Sequence, residues 1–145
     1  MTVVNKTRCF LLLALLHAWG VARAQDVVIV VNRDVQVSQV SSADLRDIFT
    51  GVKSRFRDGS RVVPVVLKGG PAHEVFLRNH IRETPEEFRT AWRKAVFTGQ
   101  AGMLRAFDSE AALLEFVAAT PGAIGYVSRI FPQARVKELP VIDLH

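Results

Sequence analysis

The sequence predicts a single small α/β domain, with a mostly parallel β-sheet flanked by helices, behind a secretion signal. Three observations support this fold class. Residues 27–31 are an unbroken run of apolar, β-branched side chains, as in a strand buried on both faces. Several later segments repeat apolar residues at helical spacing. Strand-like and helix-like segments alternate along the chain, which is typical of a parallel sheet covered by helices.

Residues 1–24 have the pattern of a cleavable secretion signal. A short basic start precedes an apolar run at 9–21, and Ala22-Arg23-Ala24 supplies the small residues that a signal peptidase requires. The run is about 13 residues long, whereas a helix needs about 20 to span a bilayer, so an uncleaved anchor is the weaker alternative. We therefore expect cleavage after Ala24, a domain of residues 25–145 without a membrane span, and a location in the periplasm.

The first half of the domain is predicted to contain two strands and a helix. After the strand at 27–31, Ser41 or Ser42 is suited to cap a short helix. Its apolar positions are Leu45, Ile48 and Phe49. A polar segment then leads to a second strand at 62–67. Because Pro64 cannot donate to a ladder, we expect this strand at a sheet edge or irregular at that residue.

The second half is predicted to contain three helices and two strands. Gly69-Gly70-Pro71 begins the first of these helices, and Thr84-Pro85-Glu86-Glu87 begins the next with a threonine cap and a proline at the first position. Asp108-Ser109 offers a cap for the last helix. The predicted strands are 123–127 and, at a sheet edge, 136–139. The pattern at 100–107 predicts neither a helix nor a strand.

The charge of the chain gives no sign of a nucleic-acid partner. It has 19 Lys and Arg residues against 14 Asp and Glu, but the predicted signal holds Lys6, Arg8 and Arg23 and no acidic residue. The domain itself is therefore close to charge balance, and it has no basic stripe of the kind that binds nucleic acid. The one cysteine, Cys9, also lies in the signal, so we expect no disulfide in the domain.

The sequence contains no signature of catalysis, and we predict a protein that is not an enzyme. There is neither a Gly-x-Ser-x-Gly elbow nor a Gly-rich phosphate loop. His73 and His80 fall on one predicted helix, about 10 Å apart along its axis, which is too far for one metal ion to bind both. We interpret them as surface histidines, and we expect no catalytic residue, no metal site and no cofactor.

One segment has the composition of an anion-binding turn. Lys68-Gly69-Gly70-Pro71-Ala72-His73 joins a predicted strand to a predicted helix. Glycines allow close approach of the backbone, and amides in a first helical turn point outward at a ligand. The candidate ligand-binding residues are Lys68, Gly69, Gly70, Ala72 and His73. The alternative is a plain strand-to-helix turn without a ligand, because Pro71 removes one donor.

Two motifs in the domain have the pattern of a known family. Leu45-Arg46-Asp47-Ile48-Phe49-Thr50-Gly51 is similar to Leu-x-x-Ile-Phe-x-Gly, and Pro121-Gly122-Ala123-Ile124-Gly125-Tyr126-Val127 is similar to the more specific Pro-Gly-Ala-Ile-Gly-Tyr-Val. The chain thus resembles the phosphate-binding protein of bacterial phosphate ABC importers, which has the type 2 periplasmic-binding fold. The resemblance extends from about Val27 to Leu139.

The resemblance implies one lobe of that fold. The family has two lobes that close on phosphate, and both motifs belong to the same lobe. Its Arg-Ser-Asp-Gly-Ser-Gly-Thr loop aligns with 67–73, where Leu67 replaces the arginine and Pro-Ala-His replaces Ser-Gly-Thr. Lys68 and the backbone amides of the turn are the candidate contacts that remain. The resemblance therefore implies weak binding of a phosphate-like anion at an open face.

Two functions stay open at this point. The first is an exported solute-binding module for a small inorganic anion, working alone or with a partner that completes the cleft. That partner would be a second copy or another envelope protein. The second is a ligand-free interaction or accessory domain of an envelope complex, which retains the fold alone.

Overall fold

The computed structural model describes residues 26–144. The predicted signal at 1–24 and its cleavage site lie outside these residues. The elements are β1 (Val28–Asn32), β2 (Val40–Ser41), α1 (Ser42–Phe49), β3 (Val63–Leu67), α2 (Pro71–Phe76), α3 (Pro85–Phe97), β4 (Arg105–Phe107), α4 (Glu110–Ala119), β5 (Ala123–Val127), β6 (Val136–Glu138) and β7 (Val141–Ile142). A π-helical segment, Leu77–Ile81, continues α2 and is called the π-turn below.

The central sheet contains five strands in the order β4-β3-β5-β1-β6. β3 pairs in parallel with β4 and β5, whereas β1 pairs antiparallel with β5 and β6. Four of these strands therefore point the same way, which confirms the prediction of a mostly parallel sheet. The apolar run 27–31 supported the prediction of a parallel sheet, but the strand that it forms, β1, is antiparallel to both of its neighbours. A continuous apolar run indicates burial on both faces, which an interior antiparallel strand of a covered sheet also has.

Helices cover both faces of this sheet, as predicted. A Cβ added to Gly125 of β5 would lie 2.8 Å from the side chain of Leu113, so that residue faces α4. The next residue, Tyr126, stacks on Phe76 of α2. Since successive residues of a strand point to opposite faces, α4 and α2 lie on opposite sides of β5.

The capping signals in the sequence are confirmed. The Ser41 hydroxyl accepts from the Asp44 amide at the start of α1, and Ser109 caps α4 in the same way. At α3, Thr84 and Glu87 form a capping box, in which each side chain accepts from the backbone amide of the other. Local hydrogen bonding of this kind depends on neighbours in sequence, which is why the pattern predicts it.

Pro64 lies inside the sheet and not at its edge. Val63 N–H donates to Gly122 O at 2.9 Å, toward β5. The nitrogen of the next residue, Pro64, therefore faces the β4 side, where pairing begins only opposite Val65. The expectation of an edge strand is wrong, because β3 lies between β4 and β5, but Pro64 itself has no partner residue in β4 to which a ladder N–H would donate.

Three strands were not predicted. β4 lies at 105–107, where Arg105 and Ala106 are exposed and give no apolar pattern. β2 and β7 form a two-residue parallel ladder apart from the main sheet. This ladder brings Asp143 to the first turn of α1, where it accepts from the Ser42 hydroxyl. Asp143 and Asp26 line the same cavity, between α1 and the π-turn.

A stack of aromatic rings fills the core beneath α2. The rings of Phe76 and Tyr126 lie 3.8 Å apart and nearly parallel, and Phe49 meets Phe76 edge-on. The Tyr126 hydroxyl accepts from Leu67 N–H at 3.0 Å and lies 2.5 Å from Nδ1 of His73. Nδ1 is the one acceptor within reach of the hydroxyl proton among the hydrogen bonds of residues 26–144, so we assign the Tyr126 O–H as the donor to Nδ1 and the proton of the neutral His73 ring to Nε2.

Both glycines of the Pro121–Val127 motif have a structural role. Gly122 has φ +77°, and an added Cβ would lie 2.4 Å from the carbonyl oxygen of Arg61. Gly125 leaves room for Leu113 and Val65 to pack against the strand. The two glycines are therefore required by the turn that leads into β5 and by the packing of α4 on that strand. The motif is thus a signature of the fold.

We predict that Gly122→Ala destabilises the domain by at least about 2 kcal/mol more than Gly59→Ala. Both positions have a positive φ, but nothing lies within 4 Å of a Cβ added to Gly59. The control variant Gly59→Ala should therefore lose only about 1 kcal/mol of unfolding free energy, from backbone strain. Gly122→Ala should lose this amount and the additional cost of the clash with the Arg61 carbonyl. Urea unfolding of both variants measures the difference, and equal losses would contradict this account of the motif.

We also predict a His73-dependent loss of stability in mild acid. Burial lowers the pKa of His73, and the Tyr126 hydroxyl needs the unprotonated Nδ1 as its acceptor. His73 therefore takes up its proton at a higher pH in the unfolded state than in the folded state. As a result, the free energy of unfolding falls as the pH drops below about 6.5, by up to about 1.4 kcal/mol per pH unit.

His73→Asn is the matched variant, because its carbonyl oxygen can replace Nδ1 as an acceptor that does not titrate. Urea unfolding between pH 8 and pH 5 should give a shallower slope for His73→Asn than for the unsubstituted chain. Identical slopes for the two proteins would show that His73 does not cause the loss.

Candidate anion-binding turn

The candidate turn lies at the edge of the sheet where three parallel strands end. β3, β4 and β5 all point toward this edge, and the residues that follow them are Lys68, Asp108 and Ser128. The turn is tied to the neighbouring strand, because Lys68 N–H donates to Phe107 O at 2.9 Å. Ligands of open α/β sheets bind outside the carboxyl ends of strands, so the fold places the turn where a ligand is expected.

Lys68 already has an anionic neighbour. Its Nζ lies 3.1 Å from Oδ1 of Asp108, and the two side chains are 59% and 84% exposed. An ion pair with this much contact with water contributes at most about 1 kcal/mol, so a competing anion can displace Asp108. Asp108 nevertheless lowers the positive potential at the turn, which weakens the site for an added anion.

The glycines of the turn leave open space beside its backbone. No heavy atom lies within 4 Å of a Cβ added to Gly69 or Gly70. Gly70 has φ +94°, a conformation that a side chain would strain, and it serves as the N-cap of α2 without a side-chain cap. A small ligand can therefore approach the main chain at this point.

Two backbone amides in the first turn of α2 are available as donors. Pro71 has no N–H, and Glu74 N–H already donates to Gly70 O at 3.1 Å. The amides of Ala72 and His73 lie in the first turn of the helix, where no helical carbonyl is in position to accept from them. Neither donates to another backbone carbonyl of residues 26–144. The turn thus offers two amides and one lysine.

The expectation that both helical histidines are surface residues is wrong. His73 is 5% exposed, and its ring belongs to the core hydrogen-bond chain with Tyr126. His80 is half-buried, and its Nε2 lies 3.0 Å from Oδ1 of Asp26. The burial of His73 could have been predicted, because His73 precedes the apolar residues Phe76 and Leu77 by one helical turn and therefore lies on the same face. At the turn, His73 therefore contributes its backbone amide and not its ring.

A groove next to the turn was not predicted from the sequence. It has a volume of about 450 Å³ and extends from Lys68 and His73 along α3. Two arginines of α3, Arg89 and Arg93, line it together with Trp92. The sequence shows that the two arginines are four residues apart, and so on one side of a helix. Because β4 was not predicted, the surface that α3 faces across the groove could not be inferred.

A larger cavity, of about 540 Å³, lies between α1 and the loop 53–60. Its cations are already engaged by the protein. Lys53 and Arg57 both bind the Asp44 carboxylate, Arg57 Nε at 2.8 Å, and Arg55 donates to Gly59 O. The Lys53 and Arg57 side chains hold the pKa of Asp44 below its ordinary value despite its burial. This cluster fixes the loop to α1 and has little capacity left for an added anion.

Within 26–144, no three His, Asp or Glu side chains lie close enough together to hold a metal ion. In this range no helix has both the length and the apolar composition required to cross a bilayer.

Comparison with known proteins gives similarity of structure but not of sequence. No family model matches the chain, and no curated protein is similar to it in sequence. The fold is similar to an ABC-type phosphate transport receptor from Vibrio cholerae, with a TM-score of 0.59 and 14% identity over 80% of this chain and 46% of that one.

Two further structures give the same result. A putative phosphate ABC transporter substrate-binding protein with bound phosphate from Clostridium perfringens has a TM-score of 0.54 and 16% identity, over 80% of this chain and 44% of that one. A possible phosphate binding protein from Planctomyces limnophilus has a TM-score of 0.54 and 12% identity, over 81% and 42%. The chain thus spans less than half the length of the structures it matches. Identities this low establish the fold, and the resemblance first carried by the two sequence motifs is confirmed at that level: the chain has the fold of one lobe of the phosphate ABC transporter substrate-binding proteins.

Proposed function

We propose that the domain is an exported solute-binding module that binds a small inorganic anion weakly at the Lys68–His73 turn. The observation that carries this proposal is the composition of the turn itself. Open space beside Gly69 and Gly70, two amides without backbone partners and one lysine lie together at the carboxyl edge of three parallel strands. The structures that share the fold include one with bound phosphate, which favours an anion of that class.

The same composition argues that the binding is weak. Hydrogen bonds to a charged group contribute roughly 1.5–3 kcal/mol each, and here a lysine and two amides must also displace Asp108. A net binding free energy of about 4 kcal/mol corresponds to a dissociation constant of about 1 mM. We therefore expect millimolar affinity for a single copy acting alone.

An opposing surface would raise that affinity by excluding water from the site. The chain covers less than half of each similar structure named above, and we propose that a second copy or another envelope protein supplies such a surface. The signal predicted at 1–24 would deliver the domain to the periplasm, where either partner would be present. The similar structures named above are described as binding proteins or transport receptors, which supports our proposal of a protein without catalytic activity.

An interaction domain without a ligand is the second candidate. It is favoured by two large apolar side chains near the end of α3. Phe97 is 92% exposed and Met103 is 91% exposed. A contiguous patch of such side chains is typical of a surface that another protein covers, and these two residues are the candidates for one.

We predict that phosphate at millimolar concentration raises the melting temperature of the full chain, expressed with its signal and purified after export. Lys68→Ala should abolish the shift, because it removes the cation of the turn. Asp108→Asn should bind phosphate several-fold more tightly, because it removes the competing carboxylate. Lys94→Ala, which removes an exposed lysine of α3 outside the turn and the groove, should leave the shift unchanged.

The same series separates the two candidate functions. A phosphate shift that survives in Lys68→Ala would reject the turn as the site. If phosphate, sulfate and carboxylates all fail to stabilise the chain, the anion-binding function is wrong. The interaction domain then predicts an envelope protein that co-purifies with the chain and is lost in the double variant Phe97→Ser, Met103→Ser.

A further inference from the structure

We propose that the groove beside the turn binds the apolar body of an organic anion, an aromatic or branched carboxylate about the size of one ring. This inference rests on the proposed anion-binding function and names the class of ligand that the site takes. The juxtaposition that carries it is an apolar groove, walled by Phe88 and Trp92, with Lys68, Arg89 and Arg93 around it.

The volume of the groove fits such a ligand. At about 450 Å³ it falls within the roughly 300–1,000 Å³ typical of sites for small organic molecules. A tetrahedral inorganic anion, with five heavy atoms, would occupy a small part of this space. The remainder would then hold water against apolar side chains, which is unfavourable. The groove therefore favours a ligand that has an apolar body in addition to its charge.

The surface of the groove is largely carbon. Val66 and Ala106 contribute from β3 and β4, Leu104 from the segment before β4, and Phe88 and Trp92 from α3. The polar atom of Trp92 is already satisfied, because its Nε1 donates to Gly102 O at 3.2 Å. Trp92 is 9% exposed, so what the indole offers a ligand is the part of its ring that borders the groove, and aromatic carbon packs well against flat or branched apolar groups.

The charged side chains of the groove all have one sign. Lys68, Arg89 and Arg93 line it, and no acidic side chain of residues 26–144 does. Arg89 and Arg93 lie one turn apart on α3, and neither forms an ion pair with an Asp or Glu of the described chain. A guanidinium binds a carboxylate through two parallel hydrogen bonds, which suits it to this head group.

The position of the groove links it to the turn. Lys68 and His73 belong to both, so a carboxylate held by Lys68 and the arginines would direct its apolar body toward Trp92. The ligand would then lie along α3, with its charge at the carboxyl edge of the sheet and its carbon atoms over Val66 and Ala106.

Trp92 provides a direct readout. The chain has two tryptophans, Trp19 in the predicted signal and Trp92 in the groove, so Trp19→Phe in the full chain leaves Trp92 as the one tryptophan, which can be excited selectively over Tyr126. We expect benzoate to change its emission saturably, with an affinity at least about tenfold higher than those of acetate and of neutral benzamide. Acetate lacks the apolar body, and benzamide lacks the charge.

Two variants and a matched control test the arginines. Arg89→Gln and Arg93→Gln should each weaken benzoate binding at least about fivefold, and Arg78→Gln, an exposed arginine of the π-turn outside the groove, should not. All three side chains are exposed, so the variants are expected to fold, and far-UV circular dichroism checks this. Equal affinities for benzoate, acetate and benzamide, or equal loss in Arg78→Gln, would overturn the proposal.

Phosphate titrated in parallel keeps this inference distinct from the proposed function. Stabilisation by phosphate without any benzoate response would overturn the organic ligand and leave the anion-binding turn standing. A benzoate response without phosphate binding would support the groove and reject an inorganic anion as the ligand. If neither anion binds, both the inference and the proposed function are wrong.

Discussion

The Tyr126 hydroxyl determines where the candidate turn lies. It accepts a hydrogen bond from Leu67, the last residue of β3, and donates one to His73 in the first turn of α2. These two residues flank the segment Lys68–Ala72, so one buried group of β5 anchors the turn on both sides. The stack of Tyr126 on Phe76 holds the hydroxyl in place, and burial raises the pKa of Tyr126 well above its ordinary value. The position of the exposed candidate turn thus depends on a neutral hydrogen-bond chain inside the core.

This arrangement also explains why the family resemblance is informative about fold and not about ligand. In the Pro121–Val127 motif, Gly122 is required by the carbonyl of Arg61, Gly125 by Leu113, and Tyr126 by the turn anchors. Each of these constraints is internal to the lobe. The residues that would distinguish one anion from another lie elsewhere, in the turn and on α3. In the turn, the sequence differs from the loop of the family that the chain resembles.

The sequence predicted those features that depend on neighbours along the chain. The caps of α1, α3 and α4 and the strand at 123–127 are confirmed, because each depends on a few adjacent residues. The direction of β1, the internal position of Pro64 and the existence of β4 were missed, since pairing between distant strands decides them. His73 was misjudged for the same reason, as its partner Tyr126 is 53 residues away. The groove could not be predicted because its two walls, α3 and β4, meet only in the folded domain.

The small β2–β7 ladder has a consequence for how such a lobe can be used. By drawing Asp143 toward α1, it places the last described residues beside the cavity that Asp26 also borders. A domain whose two ends lie close together can be inserted into a loop of a longer protein. The lobe could therefore be carried within a longer polypeptide without interruption of its sheet.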